Sequence, residues 1–441
     1  MFVEMSHTDP ANCSEASSRH SNDRVNSSTK DKREFYQFDH SHKSVSRTVV
    51  VDSLRRATTD IPLGKGVPKA ADAHSVFDQA FLRTSTKPKA DRNLPVIRGA
   101  DLFSGCGGLS LGLSEACQAI GYRFEPILAI DRDISSLEVY MSNFTPKDAY
   151  NLDIEELLSG KLGARIEPSE QSLLKKIKNI DIVLAGPPCQ GNSNLNNHTR
   201  RDDDRNRLYE RVGRFAEIVE PRHILIENVP TVIHGRDRAL DNTIKHLNRL
   251  GYAIDAGIVD ISELGVPQKR RRHVLVASHG KSISIKDTIK KYRIPNSRTI
   301  RWAIQDLERE GTSFFDTPAV ISEENIRRIQ YLLDHDLYDL PNALRPPCHQ
   351  NGDHSYRSMY GRMRYDEPAQ TITTGFASPG QGRYIHPVRP RTLTPHEAAR
   401  LQFFPDFFTF STVKSKKSLA KMIGNAVPMK LSYVFSLEFM S

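Results

Sequence analysis

From Val96 onward, short apolar runs alternate with stretches whose apolar residues repeat at helical spacing, and this alternation limits the fold more than any other feature of the chain. The run Ile97-Arg98-Gly99-Ala100-Asp101-Leu102-Phe103 reads as a strand entering a glycine-rich turn. Leu109 to Ile120 reads as the helix after it, closed by Gly121. Phe124 to Ile130 is a second strand that ends at Asp131, and the next helix carries Ile134, Leu137 and Tyr140. Asp181 to Ala185 is a short apolar strand, and Phe215, Ile218 and Val219 share a helical face ahead of strand His223 to Ile226. A helix through Ile244, Leu247 and Leu250 stops at Gly251, and Tyr252 to Val259 and His273 to Ala277 complete the strands. Strands alternating with helices predict an α/β fold with a doubly wound, mostly parallel sheet.

The flanks of this region read differently. Residues 1–94 are serine-rich with no sustained apolar period, so they are expected to form a mostly disordered extension. Only Thr48-Val49-Val50-Val51 suggests local strand pairing, and a basic arm touching nucleic acid is the functional alternative. Residues 95–283 form the main domain. Residues 284–391, rich in Pro, Gly, Arg and His from 341 on, predict a smaller loop-rich lobe, and 392–441 return to ordered helices. Thr394, Pro395 and Glu397 mark a helix start with a capping box, and a last helix is expected over Pro428 to Phe439.

Composition narrows the function classes. The five cysteines (Cys13, Cys106, Cys117, Cys189 and Cys348) are an odd number without a Cys-x-x-Cys pair, which argues against a disulfide framework or a zinc site. No metal is expected. No apolar run is long enough to span a bilayer, and no secretory pattern opens the chain, so a cytoplasmic protein is expected. The formal charge of +9 suits a polyanionic partner without requiring one.

Four sites stand out. In Asp101-Leu102-Phe103-Ser104-Gly105-Cys106-Gly107-Gly108 a strand meets glycines and a helix start, which suits a nucleotide-like ligand or a plain structural turn. A dinucleotide fingerprint needs a further glycine at 110, where the chain has Ser110, so NAD is disfavoured. Asp131 ends the next strand, where an acid can hold ribose hydroxyls or cap a helix. Asp153 offers either an acceptor for an exocyclic amine or a loop acid. In Gly186-Pro187-Pro188-Cys189-Gln190-Gly191, a thiol sits at a strand's carboxyl end in a stiffened loop, and the flanking Pro-Pro and Gln-Gly argue against a core cysteine. Glu227, after strand His223 to Ile226, lies on the same sheet edge as Cys189 and suits general acid chemistry or a backbone contact. In Gln268-Lys269-Arg270-Arg271-Arg272-His273, Arg270 and Arg272 alternate along a strand, so their guanidiniums should point together at an oxygen or phosphate, unless the run is simply solvated.

Together these motifs resemble the DNA (cytosine-5) methyltransferases, from about residue 97 to the C-terminus. The 101–108 run is similar to that family's first motif, Gly186 to Gly191 to its nucleophile motif, Glu227-Asn228-Val229 to its acid motif and Gln268-x-Arg270-x-Arg272 to its basic strand. Arg391 to Asp406 and Gly424-Asn425-Ala426-Val427-Pro428 are similar to its last two motifs, the final one folding back beside the first. Asp131 stands where the family usually has Glu, and Asn192 where an aromatic is frequent.

The resemblance implies an S-adenosylmethionine-dependent methyltransferase fold. It implies contacts to that cofactor from Phe103, Gly105, Gly107, Gly108, Asp131, Asp153, Pro187, Leu208 and Asn425. It also implies methylation of cytosine C5 in a specific double-stranded DNA sequence by a chain acting as a monomer in a bacterial restriction–modification setting. Cys189 would add to C6 of a flipped base while Glu227 protonates N3, with Arg272 holding O2 and Arg270 supporting it. The lobe would read the DNA, with Arg345, Arg357, Arg362, Arg364 and Arg383 as candidates. Two other readings are an RNA cytosine methyltransferase, which labelled tRNA would reveal, and a DNA-binding regulator, which would have no need of Cys189, Glu227 or Arg272.

Overall fold

The computed structural model describes residues 3–5, 34–39, 43–50, 56–63, 72–88, 91–188, 208–234, 238–309, 311–350 and 358–441. Strands β1 (Val3–Met5), β2 (Glu34–Asp39), β3 (Ser44–Val50) and β4 (Arg56–Pro62) form an antiparallel sheet in the order β1-β4-β3-β2, followed by helix α1 (Ala73–Leu82). Within the extension expected over 1–94, the described residues thus form a sheet and a helix, and the remainder lie outside the described residues. Apolar residues are few here but alternate at strand spacing, so Val45, Val49 and Ile61 share a face. With Phe77, Phe81 and Leu82 of α1 they join the core of the following domain instead of building one of their own. An average over composition misses a segment that borrows its core. Of the run Thr48 to Val51, the first three residues lie in β3, and Val51 is outside the described residues.

The main domain runs β5 (Val96–Leu102), α2 (Gly108–Ala119), β6 (Arg123–Ile130), α3 (Ile134–Phe144), β7 (Asp148–Tyr150), α4 (Ile154–Leu157) and α5 (Pro168–Lys176). It continues β8 (Ile182–Ala185), α6 (Leu208–Val219), β9 (His223–Asn228), α7 (Ala239–Arg249), β10 (Ala253–Asp260), β11 (Gln268–Lys269) and β12 (Arg271–Ser278). Seven strands pair in the order β10-β12-β9-β8-β5-β6-β7. The five from β9 to β7 are parallel, and β12 runs antiparallel between β9 and β10. This is the predicted doubly wound, mostly parallel sheet. Its central strands are buried on both faces: in β8, Ile182 and Leu184 join the core on the α2 side, whereas Val183 and Ala185 join the core on the α6 side. From β5 the chain winds first toward β7 and then crosses to β8 and β9, so the strand order reverses between β5 and β8. Their carboxyl ends open the crevice where ligands bind in such sheets.

Beyond residue 283 follow α8 (Ile285–Tyr292), α9 (Ile300–Ile304), α10 (Glu323–Asp334), α11 (Pro347–Gln350), β13 (Ala369–Gln370), α12 (Pro395–Leu401), α13 (Lys416–Asn425) and α14 (Lys430–Phe439). Ile285, Tyr292, Ile300 and Ile304 belong to the main core, so α8 and α9 pack against the main domain. A small separate core of Ile329, Leu332, Leu340, Met359, Tyr360 and Ile385 marks the lobe itself. Helix α12 starts as expected: Thr394 Oγ1 accepts from the Glu397 N–H at 3.1 Å, and Glu397 returns the bond to the Thr394 N–H at 2.9 Å. No helix among the described residues is long and apolar enough to cross a membrane.

Candidate active site

The first turn is held open by its backbone. Phe103 (φ 59°), Gly105 (φ 52°) and Gly107 (φ 97°) all lie in the left-handed region before α2 begins at Gly108. The three glycines serve different ends. A Cβ on Gly105 would meet nothing within 4 Å, so this residue faces open space above the strand ends. A Cβ on Gly107 would stand 2.5 Å from Phe144, and one on Gly108 would stand 2.3 Å from the Val427 carbonyl. Gly108 therefore lets the segment after α13 lie directly on the first turn, which is the fold-back expected for Gly424 to Pro428. Asn425, at the end of α13, is exposed beside it.

Asp131 follows β6 and closes the floor of this opening. Its Oδ2 accepts from the Gly105 N–H and its Oδ1 from the Asp133 N–H, both at 2.8 Å. Burial pushes its carboxyl above the ordinary range, against the pull of those two N–H groups. Asp153 is the N-cap of α4 and accepts from the Glu155 N–H at 3.2 Å, the helix-cap arrangement for which the sequence offered only a loop acid. Leu208 is buried at the start of α6, and Pro187 is buried at the end of β8.

On the other side of the crevice stands an acid beside a cation. Glu227 lies opposite Val274 across the antiparallel pair, so Arg272, two residues earlier, is its diagonal neighbour on one face. Arg272 Nε lies 2.6 Å from Glu227 Oε1. Burial raises the Glu227 carboxyl, while the Arg272 and Arg270 guanidiniums draw it back down. Its Oε2 lies 3.8 Å from where a Gly186 side chain would begin, so the acid abuts the loop that leads to position 189. Asn228 ties that loop down by donating to the Pro187 carbonyl at 3.3 Å. Cys189 itself lies outside the described residues.

Arg270 departs from expectation. It is 2% exposed, and its guanidinium donates to the carbonyls of Ile372 at 2.9 Å and Ala426 at 3.1 Å, with Gly424 at 3.4 Å. It does not point with Arg272 at a common oxygen. Position 270 falls in the break between β11 and β12, so strand alternation does not carry through it, and the side chain instead bolts the 372 segment and the end of α13 to the sheet. The lobe arginines divide in the same way. Arg345 donates to the Leu340 carbonyl. Arg362 bonds the Pro387 carbonyl and Asp336, and Arg383 bonds two carbonyls and Asp339. Arg364 is exposed and stacks on Tyr338 at 4.1 Å, and Arg357 is outside the described residues. Two buried residues beside the site carry no sequence signal of their own. Asn228 has no role in its motif until its bond to Pro187 is seen, and Tyr209, next to Leu208, lies in a helix whose pattern does not single it out.

The family described as C-5 cytosine-specific DNA methylase matches residues 97–437. The type II methyltransferase M1.BsuMI of Bacillus subtilis is 47% identical over 366 residues, covering 83% of this chain and 85% of that protein. The type II methylase M.HgiDII of Herpetosiphon aurantiacus is 33% identical over 352 residues, covering 76% and 93%. Among solved structures, the S. pombe Dnmt2 methyltransferase superposes with a TM-score of 0.54 at 20% identity, over 77% of this chain and 98% of that one, a likeness of fold. The chain belongs to the C-5 cytosine-specific DNA methylases and is a DNA (cytosine-5)-methyltransferase.

Proposed function

We propose that this chain methylates C5 of one cytosine within a specific double-stranded DNA sequence, through a transient bond between Cys189 and C6 of a flipped base. The observation that carries the reading is the Glu227–Arg272 pair at 2.6 Å beside Gly186, on the loop that delivers Cys189. S-adenosylmethionine fits the other half of the crevice: open space lies above Gly105, an acid stands at Asp131, and the backbone bends in the left-handed region. Phe103, Gly105, Asp131, Pro187, Leu208 and Asn425 would hold it there, with Asp153 and the glycines at 107 and 108 shaping the walls. Its chemistry is to supply an electrophilic methyl group.

The protein's own part follows from the chemistry of the base. Cytosine C5 is a weak nucleophile. Addition of the Cys189 thiolate to C6 breaks the C5–C6 double bond, and the electron pair moves through the ring to N3, where Glu227 delivers its proton. A carboxyl whose pKa burial raises suits that role. Arg272, bonded to the same carboxyl, would hold O2 of the base and stabilise the carboxylate once the proton has gone. C5, now enamine-like, takes the methyl group. Loss of the C5 proton to water re-forms the C5–C6 double bond and expels the thiolate, and the N3 proton returns to Glu227. Arg270 supports this only indirectly, through the segments it fastens.

We also infer a restriction–modification setting, supported by two relatives named as type II enzymes, with the chain acting as a cytoplasmic monomer and its lobe within 284–391 reading the sequence. Bisulfite sequencing of DNA from cells expressing the protein is expected to show methylation of one cytosine in one repeated context. Label from S-adenosylmethionine appearing only in tRNA would overturn the DNA reading. Cys189→Ala should abolish turnover and leave DNA binding, and persistent methylation would refute the covalent step.

A further inference from the structure

The run Gln268 to Arg272 carries two cations that the reaction leaves unused. Gln268 and Arg270 are buried and Arg272 meets Glu227, but Lys269 and Arg271 between them are exposed. Neither of these two side chains makes a hydrogen bond or an ion pair among the described residues. Exposed arginines elsewhere find carboxylates, as Arg301 does with Asp366 and Arg327 with Glu323. Asp260, which lies opposite Arg271 across the β10–β12 pair, turns its carboxylate to Ser262 instead.

The fold puts both cations between the base site and the lobe. β12 is antiparallel to β9, and His273 lies opposite Asn228 at the carboxyl end of β9. Arg271 is two residues further out. It therefore stands on the rim of the crevice, next in sequence to the arginine that meets the acid. Lys269 pairs with Gln370 of β13, and its carbonyl accepts from Thr371 Oγ1 at 2.8 Å. This short parallel ladder ties the rim to a segment bracketed in sequence by the lobe residues Tyr360 and Ile385. Arg271, Lys269 and the exposed Gln370 thus form a strip that leads from the crevice toward the lobe. A DNA strand whose flipped base enters the crevice while its neighbours lie against the lobe has to run along this strip.

We propose that Lys269 and Arg271 bind backbone phosphates of the methylated strand beside the flipped cytosine. This rests on the reading of the chain as acting on double-stranded DNA. Phosphate contacts fix register and orientation and carry no sequence information directly. A flipped base turns about its own backbone, so a clamp on the flanking phosphates holds the strand where Arg272 and Glu227 meet the base. A basic run that merely faces water would add nothing to the salt dependence of binding.

The test is equilibrium binding of a fluorescent duplex by the full-length protein with S-adenosylhomocysteine, followed by anisotropy at several salt concentrations. The duplex carries the sequence context found by bisulfite sequencing. Each phosphate contact contributes about 0.9 to the slope of log affinity against log salt. Lys269→Ala and Arg271→Ala should each lower that slope by about one and weaken binding about tenfold, on this duplex and on an unrelated one alike. Arg271→Lys keeps the charge and should restore the slope. Lys175→Ala is the control: this exposed lysine ends α5, which leads into the amino end of β8 and so lies at the sheet edge away from the crevice. Its slope should match the wild type. An unmoved slope in Lys269→Ala and Arg271→Ala, a fall no larger than that of Lys175→Ala, or weakening confined to the cognate duplex overturns the proposal. If the wild-type protein binds tRNA and not the duplex, the DNA reading itself falls; if it binds the duplex with a slope that the two substitutions leave in place, only the phosphate strip falls.

Discussion

Two regions of the molecule bury a carboxylate against cations, with opposite results. At the sheet edge, Glu227 meets Arg272 at 2.6 Å with Arg270 behind it, yet its carboxyl is raised above the ordinary range. Where α1 meets α14, Asp78 meets Lys430 at 2.6 Å with Arg298 and His74 around it, and its carboxyl is lowered. Burial opposes ionisation in both places, so the difference lies in what the cations are free to do. Arg270 is shared among three carbonyls, and Arg272 also donates to the Arg271 carbonyl at 2.7 Å. Lys430 spends its ammonium on Asp78. An acid whose cations are occupied elsewhere holds a proton more tightly than an ordinary carboxyl, whereas an acid that commands its cations holds two elements together.

The comparison would break first at Glu227. Glu227→Gln keeps the shape and the contact to Arg272 but carries no proton to transfer. Its single-turnover rate should drop roughly 10²- to 10⁴-fold, the usual worth of a positioned acid, with DNA binding retained in a mobility-shift assay. A drop of less than tenfold would mean that the raised carboxyl is a by-product of burial. Lys430→Met is the counterpart at the other pair. It leaves Asp78 buried beside weaker partners and should cost about 3 kcal/mol of unfolding free energy in denaturant. A neutral outcome would show that Arg298 and His74 suffice.

The pH dependence of stability sharpens the contrast, because the two signs are opposite. Asp78 has a folded-state pKa below its unfolded one. Its stabilisation is complete above the unfolded value and is lost as pH falls through the folded one. Glu227 has a raised folded-state pKa and penalises the folded protein while it is ionised, so its cost shrinks as pH falls. Asp78→Asn should therefore flatten the acid side of a melting-temperature profile, and Glu227→Gln should raise stability near neutrality while leaving that acid side in place. Profiles that change alike would refute the distinction.

How much of this was legible in the sequence depends on the range of the interaction. The central strands were visible because they bury both faces, β8 being apolar throughout, and Glu227 was visible because it follows the apolar run of β9 directly. The N-terminal sheet was not, since Val45, Val49 and Ile61 make sense only against α1 and the main core. Arg270 read as a partner of Arg272 because alternation was assumed to continue through position 270, where a break between two short strands turns the side chain toward α13. Tyr209 was invisible for a related reason: a lone tyrosine in an amphipathic helix looks like packing until its hydroxyl is found without a partner.

A third ion pair sets the lower limit of the comparison. Lys421 of α13 meets Asp133 at 2.8 Å, bridging the C-terminal helices to the turn after Asp131, but the lysine side chain is 59% exposed. The Asp133 carboxyl is lowered, by its contact with Lys421 and by backbone N–H groups, against a desolvation cost. Water and salt screen such a pair, and ordering a long lysine side chain offsets part of what remains. Lys421→Ala should thus change stability by no more than about 0.5 kcal/mol, and the change should vanish at high salt. At 2.8 Å the pair is only slightly longer than the 2.6 Å pairs inside the protein, so exposure is what chiefly separates it from them. A loss matching that of Lys430→Met would mean that distance, and not burial, ranks the charge pairs of this fold.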